Sequence, residues 1–403
     1  MQQILFLTEH SPFKTISGAH QRTNLICTAF SKFANVDVLP IEQDKECNIE
    51  NCIKIDMDTK RFFYKPCLFL LFIPPIFIKF YNLTKKITIN ILGSKNYHLA
   101  KTVKKLRKTK KYDFVFVRYI KNLRLFGIKP DKSIIIDIDD LPEHIYHSKL
   151  NFSLNDNSFK SFIYKIYYSN CVKICRFYTK KIVNSVAVAY LPYKEQCSMY
   201  KNTVYLPNIP YLFKNAETNE KTEHQIMFVG MIEYEPNYKG LEYFLDNIYP
   251  LIINEIPDVV FNIAGNISQE RKIQWLNKYK NILIHGFVDD LKSEYQKCSL
   301  IIVPVYTGAG TNIKVIEAMS IGKACVISSF AARGFEDILT DGENILIADN
   351  DIDFSVKVIE LLKNREYREN IGRAAKETVN SKSLYSFDCF KETIKKSIQI
   401  PLK

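Results

Sequence analysis

The chain has 403 residues, of which 47% are apolar and 25% charged, and its net charge is +13 at pH 7. This composition excludes a disordered chain, and the length exceeds what one hydrophobic core usually organises, which favours two domains. Residues 1–205 hold 33 Lys and Arg against 16 Asp and Glu, whereas residues 206–403 hold 23 against 27. We therefore expect an anionic partner to meet the first half.

Short apolar runs alternate with longer helical patterns through the first half. The opening segment, MQQILFLTEH, has too short an apolar part for a signal peptide or a membrane span and is typical of a first buried strand. Strands are predicted near residues 3–8, 35–39, 113–118, 133–137 and 185–189.

Two neighbouring segments of the first half suggest a membrane surface. Residues 61–81 are almost wholly apolar or aromatic, and residues 101–112 are dense in lysine and arginine. The apolar run is too short to span a bilayer and is broken by Pro74 and Pro75, but it fits a segment lying in the interface beside anionic lipid. A core helix beside a solvated basic helix fits equally well, and both interpretations stay open. Nucleic acid is disfavoured, because no binding motif accompanies the charge.

Acids and histidines follow the strand predicted near 133–137. Their spacing matches no tight set of metal ligands, which favours a structural role as caps and loop anchors over a metal site. Hydrogen bonding to an acceptor substrate is the better functional alternative. The group comprises Asp137, Asp139, Asp140, Glu143, His144 and His147. His10 and His20 flank the first loop, where we expect structural or solvent-facing roles.

Cysteine usage indicates the compartment. The ten cysteines include no C-x-x-C pair, and the N-terminus lacks a basic start followed by a long apolar core. Both features predict a reducing, cytoplasmic location.

The second half has the turns of an α/β domain. Ten of the thirteen glycines lie from Gly230 onwards, and the polar stretch at 214–225 is typical of a linker. Strands are predicted near residues 226–230, 259–264, 281–285, 300–304 and 323–327. The alternation predicts two doubly wound sheets. The predicted domain bounds are 1–206, a linker at 207–225, 226–384, and a terminal amphipathic helix within 385–403.

One segment of the second half has a phosphate-binding layout. In residues 301–322, IIVPVYTGAGTNIKVIEAMSIG, a buried strand leads into a glycine turn that opens a helix. Gly308 and Gly310 permit a tight turn, and Thr311 or Asn312 can cap the helix. The amide groups at the helix start, together with the helix dipole, form a site for anions.

Two charged residues lie on the first turns of that helix. Lys314 and Glu317 are three residues apart and share a face, so a cation and a carboxylate both point towards the mouth of the site. The lysine suits a diphosphate and the glutamate suits sugar hydroxyls. Glycine turns without a ligand are also common in α/β sheets, so the turn alone does not decide.

The segment GAGTNIKVIEAM at 308–319 resembles the donor-site signature G-G-G-T-R-x-K-x-L-E-A-M-A of the retaining GT-B glycosyltransferases of family four. Further segments follow in the family's order, from FVGMIEYEPNYKGLEYFLDNIYPLI at 228–252 to ACVISSFAARGFE at 324–336. The likeness covers most of the chain and is strongest from 226 to 345. The segment around Gly18 resembles the family's first glycine turn.

The resemblance implies an α/β fold of the GT-B type, with two Rossmann-like domains facing a cleft and the terminal helix crossing back onto the first. It implies a nucleoside diphosphate sugar as donor, a lipid-linked or growing glycan as acceptor, and no metal or other cofactor. The implied site residues are Lys314, Glu317 and Lys239 for catalysis, and Gly308, Gly310, Thr311, Asn312, Gly18, Phe287 and Val288 for donor binding. A packed hairpin corner at Phe287 and Val288 is the alternative there.

The chain also departs from the family's pattern. The first glutamate of the family's Glu-x(7)-Glu pair falls on Ala309, and Met231 stands where many members have arginine. The predicted function is a retaining glycosyltransferase of surface polysaccharide or glycolipid synthesis, peripheral on the cytoplasmic membrane face. The alternative is a catalytically weak GT-B subunit that binds a nucleotide sugar.

Overall fold

The computed structural model describes residues 1–14, 17–42, 48–55, 97–154, 159–210, 223–288 and 290–399. The chain divides into two compact units: Met1–Pro207 together with the segment from Phe390 onwards, and Asn208–Cys389. The predicted apolar run at 61–81 and most of the predicted linker lie outside the described residues. Within the described part of the chain, no helix is both long and apolar enough to cross a membrane.

The first unit is built on a seven-stranded parallel sheet. Its strands are β1 Gln2–Thr8, β2 Ala34–Pro40, β3 Cys52–Lys54, β4 Phe114–Arg118, β5 Ile134–Asp137, β6 Val188–Leu191 and β7 Thr203–Tyr205. They lie in the order β3-β2-β1-β4-β5-β6-β7. Because β1 has β2 on one side and β4 on the other, the strand order reverses between β1 and β4, which is where ligands bind in folds of this kind.

Helices cover this sheet and bury its apolar side chains. They are α1 Gly18–Ser31, α2 Tyr97–Thr109, α3 Ile120–Leu125, α4 Pro142–Leu154, α5 Phe159–Val183 and α6 Lys194–Ser198. Leu5 and Val117 of the sheet share one core with Val103 of α2. Each fully buried side chain of this size contributes roughly 1.5–3 kcal/mol.

The second unit is built on a six-stranded parallel sheet. Its strands are β8 Gln225–Val229, β9 Val260–Ala264, β10 Ile282–Gly286, β11 Leu300–Val303, β12 Cys325–Ser328 and β13 Leu346–Ala348. They lie in the order β10-β9-β8-β11-β12-β13, so the strand order reverses between β8 and β11. Strand β10 is at the edge.

The helices of the second unit lie between and after these strands in the sequence. They are α7 Glu235–Tyr243, α8 Tyr249–Glu255, α9 Gln269–Lys278, α10 Leu291–Lys297, α11 Ile313–Ser320, α12 Asp351–Lys363 and α13 Arg365–Ser381, with a π-helical turn at Phe244–Ile248 between α7 and α8. The last helix, α14 Phe387–Gln399, belongs to the first unit from Phe390 onwards. There the hydroxyl groups of Tyr190 and Ser397 are 2.8 Å apart.

The ten predicted strands all exist, each within three residues of its predicted bounds. The sequence did not predict β3, β7 and β13, which have three residues each. One site residue is placed differently from its prediction. Gly18 is the first residue of α1, capped by Ser17, rather than a member of a glycine turn. The predicted α/β class, with two doubly wound sheets, is confirmed.

Candidate functional site

The candidate donor site lies at the carboxyl ends of β8 and β11, where the strand order of the second unit reverses. Gly230 follows β8 with a φ of +153°, in the region that favours glycine. A β-carbon on Gly230 would come within 3.1 Å of the Lys314 ammonium nitrogen. The loop after β8 and the helix after β11 therefore meet at this glycine.

Two other glycines allow the same close approach of backbone segments. A β-carbon on Gly265 would lie 1.7 Å from the carbonyl oxygen of Gly230. A β-carbon on Gly240 would lie 1.9 Å from the carbonyl oxygen of Pro304. Because backbone atoms cannot yield as flexible side chains do, both positions require glycine. They fix α7 and the end of β9 against the two loops of the site.

Lys314 is a buried lysine at the start of α11. Its side chain donates a hydrogen bond to Asn237 Oδ1 at 2.8 Å, and its ammonium lies 4.5 Å from the ring centre of Phe228. Burial lowers the pKa of Lys314 to about 7, although the nearby Glu317 carboxylate opposes that shift. A buried lysine that titrates near neutrality is suited to gaining a proton when an anion arrives.

Glu317 is buried one helical turn after Lys314. Its neighbour is Tyr295 of α10: burial, together with the negative charge of Glu317, raises the pKa of the Tyr295 phenol. The sequence predicted that both charged side chains point towards the mouth of a site. The structure places them on the same buried side of α11, with 8% of Lys314 and 4% of Glu317 exposed.

The glycine turn before α11 contains the predicted anion-binding residues. Gly308 has a φ of +131°, and Asn312 takes the N-cap position of α11 without a capping bond from its side chain. The Thr311 hydroxyl accepts a hydrogen bond from Asn208 Nδ2 at 2.6 Å. The predicted side-chain cap of α11 is therefore wrong, because Thr311 is engaged by Asn208 instead.

Three other predicted residues of the second unit are less buried. Lys239, on α7, forms an ion pair with Glu235 at 2.6 Å, which offsets its charge. Phe287 and Val288 follow the edge strand β10, and 46% of Phe287 is exposed. An exposed aromatic ring at a strand end is available to stack on a flat ring.

The sequence did not single out Arg333, which adds a second cation at the glycine turn. Its guanidinium donates to the carbonyl oxygen of Gly308 at 3.3 Å and lies 3.6 Å from the ring centre of Phe330. The signal was available, because Arg333 stands in the segment ACVISSFAARGFE after β12. A guanidinium held flat by an aromatic ring is well suited to phosphate oxygens.

The acid-rich segment of the first unit is held by arginines. Asp137 is fully buried and forms ion pairs with Arg22, at 2.8 Å, and with Arg118. Asp139 lies 2.7 Å from Arg118. Two guanidinium groups thus occupy the carboxylate oxygens that a metal would need, which supports the structural interpretation.

Backbone strain accompanies these ion pairs. Tyr119, after β4, and Asp139, after β5, have φ values of +66° and +56°. Such conformations are uncommon for residues with side chains and concentrate at functional sites. Burial raises the pKa of the adjacent Asp140 to about 7, with Asp139 adding to the shift. The carboxyl edge of this sheet therefore combines backbone strain with a carboxyl group whose pKa is raised.

Comparison with known proteins matches part of the second unit to one family. Residues 223–364 match the model of the glycosyl transferases group 1 family. The matched segment runs from β8 to α12 of the second unit. The matched segment contains Lys314, Glu317, Arg333, Lys239 and the glycine turn. Asn208 lies outside it, and Gly18 belongs to the first unit.

Similar proteins extend the comparison to the whole chain. An uncharacterized 44.6 kDa protein in the cps region of Klebsiella pneumoniae is 26% identical over 307 residues, covering 72% of this chain and 76% of that protein. Among solved structures, WaaG, a glycosyltransferase involved in lipopolysaccharide biosynthesis, has a TM-score of 0.64 at 11% identity, covering 98% of this chain and 100% of WaaG. HepE from Anabaena, solved with UDP and glucose, has a TM-score of 0.61 at 10% identity, with 100% of both chains covered. The predicted GT-B fold is therefore confirmed.

Proposed function

We propose that this protein is a glycosyltransferase that moves a sugar from a nucleoside diphosphate sugar to a growing or lipid-linked glycan. The observation that carries the proposal is the buried Lys314 at the β8/β11 switch point of the glycosyl transferases group 1 domain. An ammonium held there beside Gly230, with Arg333 at the neighbouring glycine turn, forms a cationic pocket for a diphosphate.

The proposed chemistry follows from charge development on the departing diphosphate. When the bond between the anomeric carbon and the diphosphate oxygen breaks, negative charge grows on that oxygen. Lys314 and Arg333 stabilise this charge, and Glu317 holds ribose or sugar hydroxyl groups. Because two cations are already built into the pocket, we propose that the donor chemistry proceeds without a resident metal.

We propose that the sugar keeps its anomeric configuration. The acceptor oxygen attacks the anomeric carbon from the face that the diphosphate leaves. The acceptor proton passes to a phosphate oxygen of the leaving group, so no covalent sugar–protein intermediate is needed. The support is the resemblance of residues 308–319 to the retaining family-four signature.

The proposed acceptor belongs to surface polysaccharide or lipopolysaccharide-type synthesis. Support comes from the relative encoded in a cps region and from WaaG, whose named role is lipopolysaccharide biosynthesis. In the first unit, the strained carboxyl ends of β4 and β5 around Tyr119 and Asp139 are the proposed acceptor-side surface.

A donor panel tests the function directly. Purified protein is incubated with UDP-, GDP-, ADP- and dTDP-sugars and with glycan or lipid-linked acceptors, and the release of nucleoside diphosphate is measured. We expect one donor to be turned over without added Mg²⁺. NMR of the product should show the anomeric configuration of the donor sugar. No turnover and no donor affinity across the panel would contradict the proposal.

The second candidate, a nucleotide-sugar-binding subunit with weak catalysis, is favoured by two observations. Ala309 replaces the first glutamate of the family pair and is buried, and Lys239 is already paired with Glu235. The same panel separates the two functions. Donor binding by calorimetry without release of nucleoside diphosphate, under any acceptor, would select the binding subunit.

We also propose that the first unit docks on an anionic membrane at the cytoplasmic face. Exposed apolar and aromatic side chains alternate with cations along α5. The exposed apolar group comprises Phe162, Tyr164, Ile166, Ile174, Phe177 and Tyr178. The exposed cations are Lys173, Arg176, Lys180 and Lys181, and α2 adds Lys101, Lys104, Lys105, Arg107 and Lys108. A helix that exposes both aromatic rings and cations has the composition of a segment that binds at a membrane interface.

Vesicle binding tests the membrane proposal. We expect the protein to sediment with anionic vesicles at low salt and to be largely released at high salt, because each surface cation contributes about 1 kcal/mol. Reversing four charges of α2, at Lys104, Lys105, Arg107 and Lys108, should weaken binding at least tenfold. The double variant Phe162→Ser, Phe177→Ser should remove the binding that survives in salt.

The control variant for vesicle binding is Ile352→Ser, which changes a side chain that is 70% exposed in the second unit. It should bind vesicles as the parent chain does. A parent chain that ignores anionic vesicles would refute the membrane proposal, whatever the variants do.

A further inference from the structure

The first unit brings two histidines and a glutamate together from three separate elements. His10 follows β1, His20 lies in the first turn of α1, and Glu42 follows β2. One ligand atom from each residue lies within 4.8 Å of the others. Among the described residues, this is the one group of histidine, cysteine and acidic side chains close enough to share a metal ion.

We propose that His10, His20 and Glu42 bind one divalent cation of the zinc class. His10 Nδ1 lies 3.1 Å from Glu42 Oε1, and His20 Nε2 lies 2.7 Å from Glu42 Oε2. Two ligands of a tetrahedral zinc ion, each about 2.0–2.2 Å from the metal, are about 3.3 Å apart. Small side-chain rotations therefore suffice to admit the ion.

The surroundings of these side chains favour metal binding. The Ser17 hydroxyl lies 2.7 Å from His20 Nδ1, so it can hold that nitrogen in its protonated form and leave Nε2 for a metal. The Ser11 amide donates to Glu42 Oε2 at 3.1 Å and fixes the carboxylate. Outer partners of this kind are a regular feature of metal sites in proteins.

The choice of ion follows from the ligand types. Two imidazoles and one carboxylate suit zinc, cobalt, nickel or iron, whereas magnesium and calcium prefer sets made of oxygen atoms. Three protein ligands leave a fourth position for water or substrate. His20 is buried, while His10 and Glu42 are partly exposed, so the fourth position is reachable from solvent.

The site lies beside the β1/β4 switch point of the first sheet. His10 is within 6.0 Å of the Tyr119 ring, which follows β4, measured between ring centres. With a divalent ion, the two neutral imidazoles and one carboxylate have a net charge of +1, which favours an anionic or oxygen-bearing fourth ligand. All three ligands belong to the first unit, whereas Lys314 and Arg333 belong to the second.

Cobalt(II) titration of the full-length, chelator-stripped protein tests the proposal. We expect one equivalent to bind and to give visible d–d bands typical of nitrogen and oxygen ligands. Thiolate-to-cobalt charge transfer should be absent from the spectrum. Zinc should displace the cobalt. The assignment would be overturned if the first equivalent of cobalt(II) did not bind, or if thiolate bands dominated the spectrum.

Variants then locate the ion. His10→Gln, His20→Gln and Glu42→Gln should each weaken zinc binding at least 100-fold in a competition assay, and zinc should no longer raise their Tm. The control is Cys27→Ser with Cys52→Ser, because these sulfur atoms are 3.6 Å apart in the same unit. This control should bind zinc as the parent chain does. If the cysteine control loses zinc binding and the three ligand variants retain it, the thiols bind the ion instead.

Ser17→Ala changes none of the three proposed ligands, so it tests the same site even if a ligand variant fails to fold. Ser17→Ala removes the hydroxyl beside His20 Nδ1 and should weaken zinc binding about 10- to 100-fold. Undiminished zinc affinity in folded Ser17→Ala would contradict the proposed orientation of His20.

Discussion

Lys314→Met is expected to cut the rate of sugar transfer strongly while leaving the fold intact. Removing the buried ammonium from the diphosphate pocket should raise the barrier by about 3 kcal/mol, or about 10²-fold in turnover, as for the loss of one charged contact to a leaving group. Methionine replaces the lysine chain at similar volume, so the contact with Phe228 remains apolar. Release of nucleoside diphosphate from the best donor measures the effect.

Lys314→Met should reduce turnover but increase the stability of the folded protein. Burial holds the pKa of Lys314 at about 7 in the folded protein, whereas an unfolded lysine titrates near 10.4. The folded state therefore bears the cost of a buried charge below pH 7, and the cost disappears as pH rises towards 10.4. Lys314→Met should raise the free energy of unfolding at pH 6 to 7, as measured by urea denaturation.

Donor binding should show the matching pH dependence. A bound diphosphate raises the pKa of Lys314, so binding takes up a proton. The affinity that the protonated Lys314 adds to donor binding is fully present below about pH 7. This added affinity is lost as the pH rises above 7. Calorimetry in buffers of different ionisation enthalpy measures the proton uptake, which should vanish in Lys314→Met.

Lys323 provides the matched control, since it is a second buried lysine close to α11. Its ammonium donates to the carbonyl oxygen of Cys298 at 2.6 Å. Lys323→Met leaves that buried carbonyl without its charged donor, so it should lower stability and keep donor affinity. Equal losses of turnover in Lys314→Met and Lys323→Met, each explained by unfolding, would remove the catalytic role of Lys314.

The strands that the sequence predicted share one physical property. Runs such as residues 134–136 and Leu300–Val303 are buried on both faces, so they are continuous apolar segments bounded by breaks in hydrophobicity. The strands that it missed, β3, β7 and β13, have three residues each, which is too short for a periodic pattern. The information for them lies in pairing with neighbours, which a local window does not contain.

The residues of the candidate site also differ in whether a local stretch of sequence reveals them. Lys314 and the glycine turn could be proposed as site residues from the sequence, because they lie within one short segment with a known resemblance. The burial of Lys314 could not be predicted, because it depends on Phe228 and Asn237, which come from a different strand and helix. Glu42 was missed because it is 22 positions from His20 in the sequence, with most of α1 and the whole of β2 between them. Contacts of this kind arise from topology rather than from spacing.

The acids near residue 137 show how local spacing misleads. Asp137 and Asp139 form a D-x-D pattern that is compatible with a metal, and the residues that neutralise them are distant in sequence. Arg22 is 115 residues from Asp137 and reaches it through three hydrogen-bond contacts. Both guanidinium groups, from Arg22 and Arg118, are buried with the carboxylate between them. The charge balance of the site is therefore visible only in the folded chain.

Asp137→Asn is expected to lower the free energy of unfolding of the first unit by about 3–5 kcal/mol. The substitution keeps the shape of the side chain but removes the charge that compensates two buried guanidinium groups, and an uncompensated buried charge has a cost of that size. Arg22 also donates to the carbonyl oxygens of Leu206 and Pro207, so its own position should be preserved at first. Urea denaturation followed by far-ultraviolet circular dichroism measures the change.

Asp139→Asn is the matched control for this experiment. Asp139 is 14% exposed, contacts the same two arginines at 2.7 and 3.8 Å, and can exchange its interactions with water. Its replacement should cost less than that of Asp137, because water reaches the Asp139 side chain and compensates part of the lost charge. An Asp137→Asn variant as stable as the parent chain, with weaker binding of a divalent metal, would restore the metal interpretation of these acids. The expected order, with Asp137 more costly than Asp139, follows from burial, since the two residues are otherwise the same acid beside the same arginines.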